Sequence, residues 1–284
     1  LWEDKPNEIW QSKCLSLAEI KGTEQQPMKK VGAISSERFK GQVALVVGGA
    51  QGIGRAIAIR LRREGAHVVI ADIDRAKMDI LSREMASAGT AIQTVICDVR
   101  RKRQIERMVA EIVRRHRRVD ILMYVAGVAK SEPFIQTSED LWDWTMDINL
   151  KGAFLVARAV APHMIKKRRG KMIFMASTNS WDAEAELAPY NASKAALFLL
   201  AKTMARELGH YGIQSNAIGP GLIRTRLTEP FLKDSRFMRK YRKLIPAGRL
   251  GLPDDIAGPA AFLASSDADY VNGVLLFVDG GQLA

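Results

Sequence analysis

From Phe39 onward, apolar runs of strand length alternate with stretches whose apolar residues recur at a helical period. "QVALVVGG" (42–49) is a continuous apolar run ending in glycine, and "GRAIAIRLRREGA" (54–66) then keeps one apolar side until Gly65 stops it. "HVVIAD" (67–72), "AIQTVICDV" (91–99) and "VDILMYVAG" (119–127) read as further strands. "AKMDILSREMASAG" (76–89) and "RQIERMVAEIVRRH" (103–116) read as the helices between them. Two long helices, around 140–168 and 190–209, are expected on either side of the strand "GKMIFMAS" (170–177). The strand "IQSNAIGPG" (213–221), a mobile-looking stretch at 222–246, a short helix and the strand "GVLLFVDGG" (273–281) complete the pattern.

Strands that are apolar on both faces and alternate with helices imply a parallel sheet covered on both sides. The expectation is an α/β fold: a single doubly wound parallel sheet with helices on both faces and a ligand site at the carboxyl ends of its strands. No second domain is visible. Residues 1–38 show no periodicity and read as an N-terminal extension, expected to be poorly ordered, ahead of a dinucleotide-binding catalytic domain at 39–284.

Composition narrows the function classes. The chain has 284 residues and is 47% hydrophobic, ordinary for a globular protein with a full core. No stretch approaches a membrane span, and "LWEDKPNEIWQSK" lacks the apolar segment of a signal peptide. Cys14 and Cys97 are far apart, and the histidines at 67, 116, 163 and 210 have no ligand spacing, so no metal site and a reducing cytoplasm are expected. The net charge is +12, and residues 1–38 hold six bases and six acids, so the excess lies beyond them. It concentrates in "RRKR" (100–103), "RRHRR" (114–118), "KKRR" (166–169) and "RKYRK" (239–243). Such blocks can attract nucleic acid, anionic lipid or an acidic protein, but each falls at a helix end or edge, where solvated charge is the plainer reading.

"GGAQGIGR" (48–55) joins the first strand to the first helix, the context a dinucleotide site requires. Gly48 permits the tight turn, while Gly52 and Gly54 let backbone and pyrophosphate approach and let the helix pack on the strand. The helix amides then face the phosphates. Asp72 ends the second strand, where a carboxylate can bind the adenosine ribose hydroxyls and repel a 2′-phosphate, favouring NAD(H) over NADP(H). Asp72 could instead cap the helix beginning in "DIDRAK", a role open equally to Asp74, and Arg75 could rescue phosphate binding.

"PYNASKAALFLL" (189–200) sets Tyr190 and Lys194 one helical turn apart on one face. They are either an incidental polar pair or a phenol made acidic enough to take a proton from an alcohol. A tyrosine of ordinary pKa, about 10, is too weak a base near neutrality, and lowering it to about 7 takes roughly 4 kcal/mol.

With "GGAQGIG", the serine of "MAS" and "YNASK" in order, the chain resembles the short-chain dehydrogenase/reductase superfamily over about residues 39–284. The resemblance implies a catalytic tetrad of Asn149, Ser177, Tyr190 and Lys194. It implies cofactor contacts from Gly48, Gln51, Gly52, Ile53, Gly54, Asp72, Asp98 and Val99, then from Ala126, Gly127, Tyr190, Lys194, Pro220, Gly221, Ile223 and Thr225. In relatives Asp98 meets the adenine, the "PGLIRT" turn holds the carboxamide, and 222–246 closes as a lid. Val47 stands where the family usually has Thr, and Tyr124–Val125 stand where it has two asparagines. The Thr and the second Asn tie strands together in relatives; with both apolar here, the pair reads as a neutral structural substitution.

For the substrate, Trp181 could pack on one face, and Glu184 could bind a second hydroxyl of a polyol or sugar. The expected reaction is hydride transfer between NAD(H) and a secondary alcohol or ketone. The alternative is a 3-oxoacyl-[acyl-carrier-protein] reductase, for which Arg168 matches one of two carrier-binding bases of that family and Tyr211 replaces the other. A non-enzymatic dinucleotide-sensing or nucleic-acid-binding role remains the remote alternative, against which the intact tetrad speaks. A homotetramer or homodimer is expected through the helices near 101–117 and 145–168.

Overall fold

The computed structural model describes residues 37–284 apart from position 234; the extension read at 1–38 lies almost wholly outside them. Strand β1 (Val43–Val47) leads through the glycine turn into helix α1 (Gly52–Arg63), followed by β2 (His67–Asp72), α2 (Arg75–Ser87), β3 (Gln93–Ile96), α3 (Lys102–His116) and β4 (Ile121–Tyr124). The second half runs α4 (Glu139–Met146), α5 (Gly152–Lys167), β5 (Gly170–Met175), α6 (Ala188–Leu208) and β6 (Ile213–Pro220). Helices α7 (Glu229–Leu232), α8 (Ser235–Leu244) and α9 (Pro253–Ala264) then precede β7 (Leu275–Val278). The seven strands are parallel in the order β3-β2-β1-β4-β5-β6-β7, as expected for a doubly wound sheet.

Side-chain alternation builds a core on each face. Ala44 and Val46 of β1 pack with Ile57 and Leu61 of α1, Leu81 of α2 and Ile256 of α9. Val43, Leu45 and Val47 pack with Ile105 and Ile112 of α3, Val156 of α5 and Leu197 of α6. At roughly 2 kcal/mol for each fully buried aliphatic side chain, these two layers are the main stabilising term. The chain leaves β1 toward β2 and β3, then returns to the other side of β1 as β4. The strands diverge at their carboxyl ends there, opening a crevice.

Two expectations change. The helix foreseen at 140–168 is interrupted: α4 passes into a π-helical turn at Asp147–Lys151 before α5 begins. The stretch at 222–246 is not bare loop, since α7 and α8 lie within it and Tyr241, Ile245 and Leu250 form a small apolar cluster. The basic blocks 114–118 and 166–169 end α3 and α5, where cations complement the helix dipole.

The α1 entry is tightly constrained. A Cβ on Gly54 would lie 2.1 Å from the Gly48 carbonyl oxygen, a backbone atom that cannot yield without opening the turn. Gly54→Ala is therefore expected to cost about 2 kcal/mol or more in urea unfolding; an unchanged midpoint would show that the turn has slack.

Candidate active site

The crevice between the carboxyl ends of β1 and β4 encloses about 460 Å³. The glycine turn forms its floor, with Gly48 at φ +80° and Gly48, Gln51, Gly52, Ile53 and Gly54 on the lining. No side chain caps the first turn of α1 and no acid stands in it, so its free amides present partial positive charge to the crevice. An anionic dinucleotide fits this cradle.

Asp72 is not the cap of α2. Asp74 holds that position, accepting from the Lys77 amide at 3.1 Å. The Asp72 carboxylate turns to the glycine loop, accepting from Ala50 N at 3.0 Å, and from Ile73 N and Asp74 N at 2.8 and 3.1 Å. It lines the crevice; Arg75 lines a separate groove beside α3. A base that sequence reasoning passed over, Arg226, does line the crevice. Asp98 and Val99 also line it, and Arg100 grips the Asp98 carboxylate at 2.8 Å and holds its pKa below the usual range. Ala126, Gly127, Pro220, Gly221, Ile223 and Thr225 complete the expected wall.

Ser177 follows β5, and Tyr190 and Lys194 rise from the first turns of α6; all three face the same crevice. Pro189 opens α6, where its missing amide costs nothing. The buried Lys194 ammonium donates to the Met175 carbonyl at 2.7 Å and lies 5.5 Å from the Tyr190 ring centre. Asn149 lies beneath the wall, fully buried in the π turn. Its Oδ1 accepts from Val128 N at 2.8 Å, and its Nδ2 donates to Val128 O at 2.9 Å and Ser193 Oγ at 3.0 Å. A Cβ on Gly127 would stand 3.2 Å from Lys194 Nζ and 3.4 Å from Asn149 Oδ1, so glycine keeps the space between those polar atoms open.

Burial pushes the Tyr190 phenol up, offset in part by hydrogen bonding with Ser177, and burial brings Lys194 down to about 8. Both groups are driven toward their neutral forms because desolvation penalises charge of either sign.

Trp181 and Glu184 do not line the crevice. Trp181 is 77% exposed on the loop after Ser177. Glu184 accepts a hydrogen bond from Tyr241 of α8 at 2.5 Å, which ties that loop to α8. Arg168 donates to His210 O at 2.7 Å and stacks near the Tyr211 ring. It precedes β5 while Ser177 follows it, so within one chain these two residues stand at the opposite end of the sheet from the crevice. Val47 and Val125 leave β1 and β4 joined by main chain, since Val47 O accepts from both Val125 N and Ala126 N at 2.9 and 3.0 Å.

A parallel sheet whose switch-point crevice joins an uncapped glycine turn to a Ser–Tyr–Lys group defines a dinucleotide-binding oxidoreductase of the Rossmann type. Residues 48–282 match the family described as enoyl-(acyl carrier protein) reductase. The chain is 39% identical over 240 residues to the NAD-dependent glycerol dehydrogenase of Listeria innocua, a match spanning 84% of this chain and 93% of that protein. It is 34% identical over 244 residues to the 3-oxoacyl-[acyl-carrier-protein] reductase FabG of Thermotoga maritima, spanning 86% and 98%. A gluconate 5-dehydrogenase from Burkholderia cenocepacia, crystallised with NADP and tartrate, is 38% identical with a TM-score of 0.84, covering 88% of this chain and 98% of that one. This chain belongs to the short-chain dehydrogenase/reductase superfamily.

Lys194 has a testable linkage. It titrates near 8 in the fold against 10.5 ordinarily, so between those values the unfolded chain binds more protons and folding stability rises with pH. Cys97 and the buried phenols titrate at high pH in the opposite sense, so the useful readout is a difference. The unfolding free energy of the parent less that of Lys194→Met is expected to climb from about pH 8 to 10.5, and a flat difference would remove the shift.

Proposed function

We propose that this protein transfers a hydride between NAD(H) and a secondary alcohol or ketone on a small hydroxylated molecule of the polyol or sugar class. The observation that carries this reading is the convergence of Ser177, Tyr190 and Lys194 on one wall of a crevice floored by the free amides of α1. The dinucleotide, when bound, supplies the hydride acceptor and, oxidised, a positive ring beside these residues. Ser177 holds the substrate oxygen. Tyr190 removes the hydroxyl proton in oxidation and returns it in reduction. Lys194, fixed by Met175, holds the nicotinamide ribose and stabilises the phenolate as it forms. Asn149 connects Lys194 through water to solvent, using the space that Gly127 leaves open.

Asp72 supports NAD(H): its carboxylate, held by three backbone amides, lines the crevice at the end of β2, where it would oppose a 2′-phosphate. Arg226 on the same lining is the counterweight. A polyol or sugar suits the glycerol and gluconate relatives. Glu184, bonded to Tyr241 and off the crevice lining, is not needed for this reading. A 3-oxoacyl-[acyl-carrier-protein] reductase is the second reading, supported by the Thermotoga likeness. Against it stands the pairing of Arg168 with Tyr211 far from the crevice of its own chain.

We infer that copies associate through the helices near 101–117 and 145–168, of which α5 exposes Phe154 while α3 turns its large apolar residues to the core. Among the described residues no helix is long and apolar enough to cross a membrane and no metal-binding cluster occurs. The free thiol of Cys97, buried and pushed up to about 11, suits a reducing cytoplasm.

A screen of NAD(H) and NADP(H) against polyols, sugars, simple ketones and acyl thioesters tests the reading. Tyr190→Phe is expected to lower kcat roughly 1,000-fold while NADH fluorescence titration still shows binding; parent-like turnover would end the proposal. Asp72→Ala is expected to raise the NADP(H):NAD(H) ratio of kcat/KM roughly tenfold or more. An unchanged ratio would move cofactor choice to Arg226.

A further inference from the structure

Tyr124 ends β4 with no exposed surface. The phenol is not an apolar filler. Its Oη donates to the Ile148 carbonyl at 2.5 Å, and Ile148 is the second residue of the π turn Asp147–Lys151. A π turn spaces its bonds five residues apart, as in Gly152 N to Asp147 O, and so disturbs the regular ladder of carbonyls around it. Burying such a carbonyl without adequate partners is costly.

The neighbourhood is cut to fit this one hydroxyl. A Cβ on Gly152 would meet Tyr124 Oη at 2.5 Å, so only glycine at the start of α5 lets the phenol reach the turn. Phe174 on β5 packs against the Tyr124 ring at 6.5 Å between centres and fixes its direction. Burial keeps the phenol far above its ordinary pKa, so it stays a donor throughout the working range.

Asn149 follows Ile148 directly. Its side chain bridges the Val128 backbone to Ser193 Oγ, and Ser193 in turn donates to the Tyr190 carbonyl at 2.7 Å. A continuous set of buried bonds thus runs from β4, through the π turn, to the first turn of α6. We propose that Tyr124 is a positioning residue that pins the π turn through the Ile148 carbonyl and thereby sets Asn149, and behind it Tyr190, in register with Lys194.

The catalytic half of this inference rests on the reading of the site given above; the structural half does not. Tyr124→Phe keeps the ring and removes only the donor. Amide hydrogen exchange of the cofactor-free protein, read by peptide, is expected to quicken roughly tenfold over 147–153 in the variant and to remain unchanged in β4, β5 and β6. With the substrate found in the screen, kcat is expected to fall roughly tenfold at unchanged KM. The basic shift of its pH profile reports weaker support for Tyr190 ionisation. Unaltered exchange at 147–153, or faster exchange spread evenly over the sheet, would overturn the proposal, as would an unchanged kcat and pH profile. Gly152→Ala, which displaces the phenol instead of deleting it, is expected to reproduce the local exchange pattern; failure to do so in a folded variant would also overturn it. Should the parent reduce or oxidise nothing in the screen, the functional reading fails, while the exchange measurement still decides the role of Tyr124.

Discussion

The Val47 carbonyl accepts from two successive amides, Val125 N and Ala126 N, just past the last paired residues of β1 and β4. Beyond that point the two chains part, one into the glycine turn and the other into the wall bearing Ala126 and Gly127. Every polar feature of the crevice is referred to this fork. The parallel register below it is enforced by two apolar layers, and a slip by one residue would exchange the faces of every strand. The fork therefore converts non-directional burial into a fixed position for the atoms that must meet a dinucleotide.

Burial also governs the chemistry. The same low-dielectric surroundings lift Tyr190 and bring Lys194 down to about 8, so near neutral pH a neutral phenol stands beside a lysine held closer than usual to losing its proton. A site built this way responds strongly to any charge brought beside it, because screening by water is weak there. The lysine is positioned by Met175 O before any ligand arrives, which limits how far it must reorganise.

The sequence disclosed what depends on local pattern. The strand–glycine–helix passage, the alternation of elements and the one-turn spacing of Tyr190 and Lys194 all follow from periodicity, and the fold agrees with them. It concealed what depends on contacts across many residues. Nothing in "DINLKGAF" signals a π turn, because the change is one residue of backbone spacing inside an otherwise helical run. Tyr124 reads as strand filler until Ile148, 24 positions on, is seen under its hydroxyl. Arg168 matched one position of a family pattern, with Tyr211 in place of the other base, yet the two precede β5 and β6 and so stand at the far end of the sheet. Asp72 and Asp74 were indistinguishable as caps until the glycine loop closed over the former.

The bond between Glu184 and Tyr241 has a mechanical side. One partner belongs to the loop behind Ser177 and the other to α8, so the two flaps that flank the reactive end are stapled together at their rims. A displacement of α8 therefore pulls on the loop behind Ser177 through this bond, and the two segments are mechanically coupled.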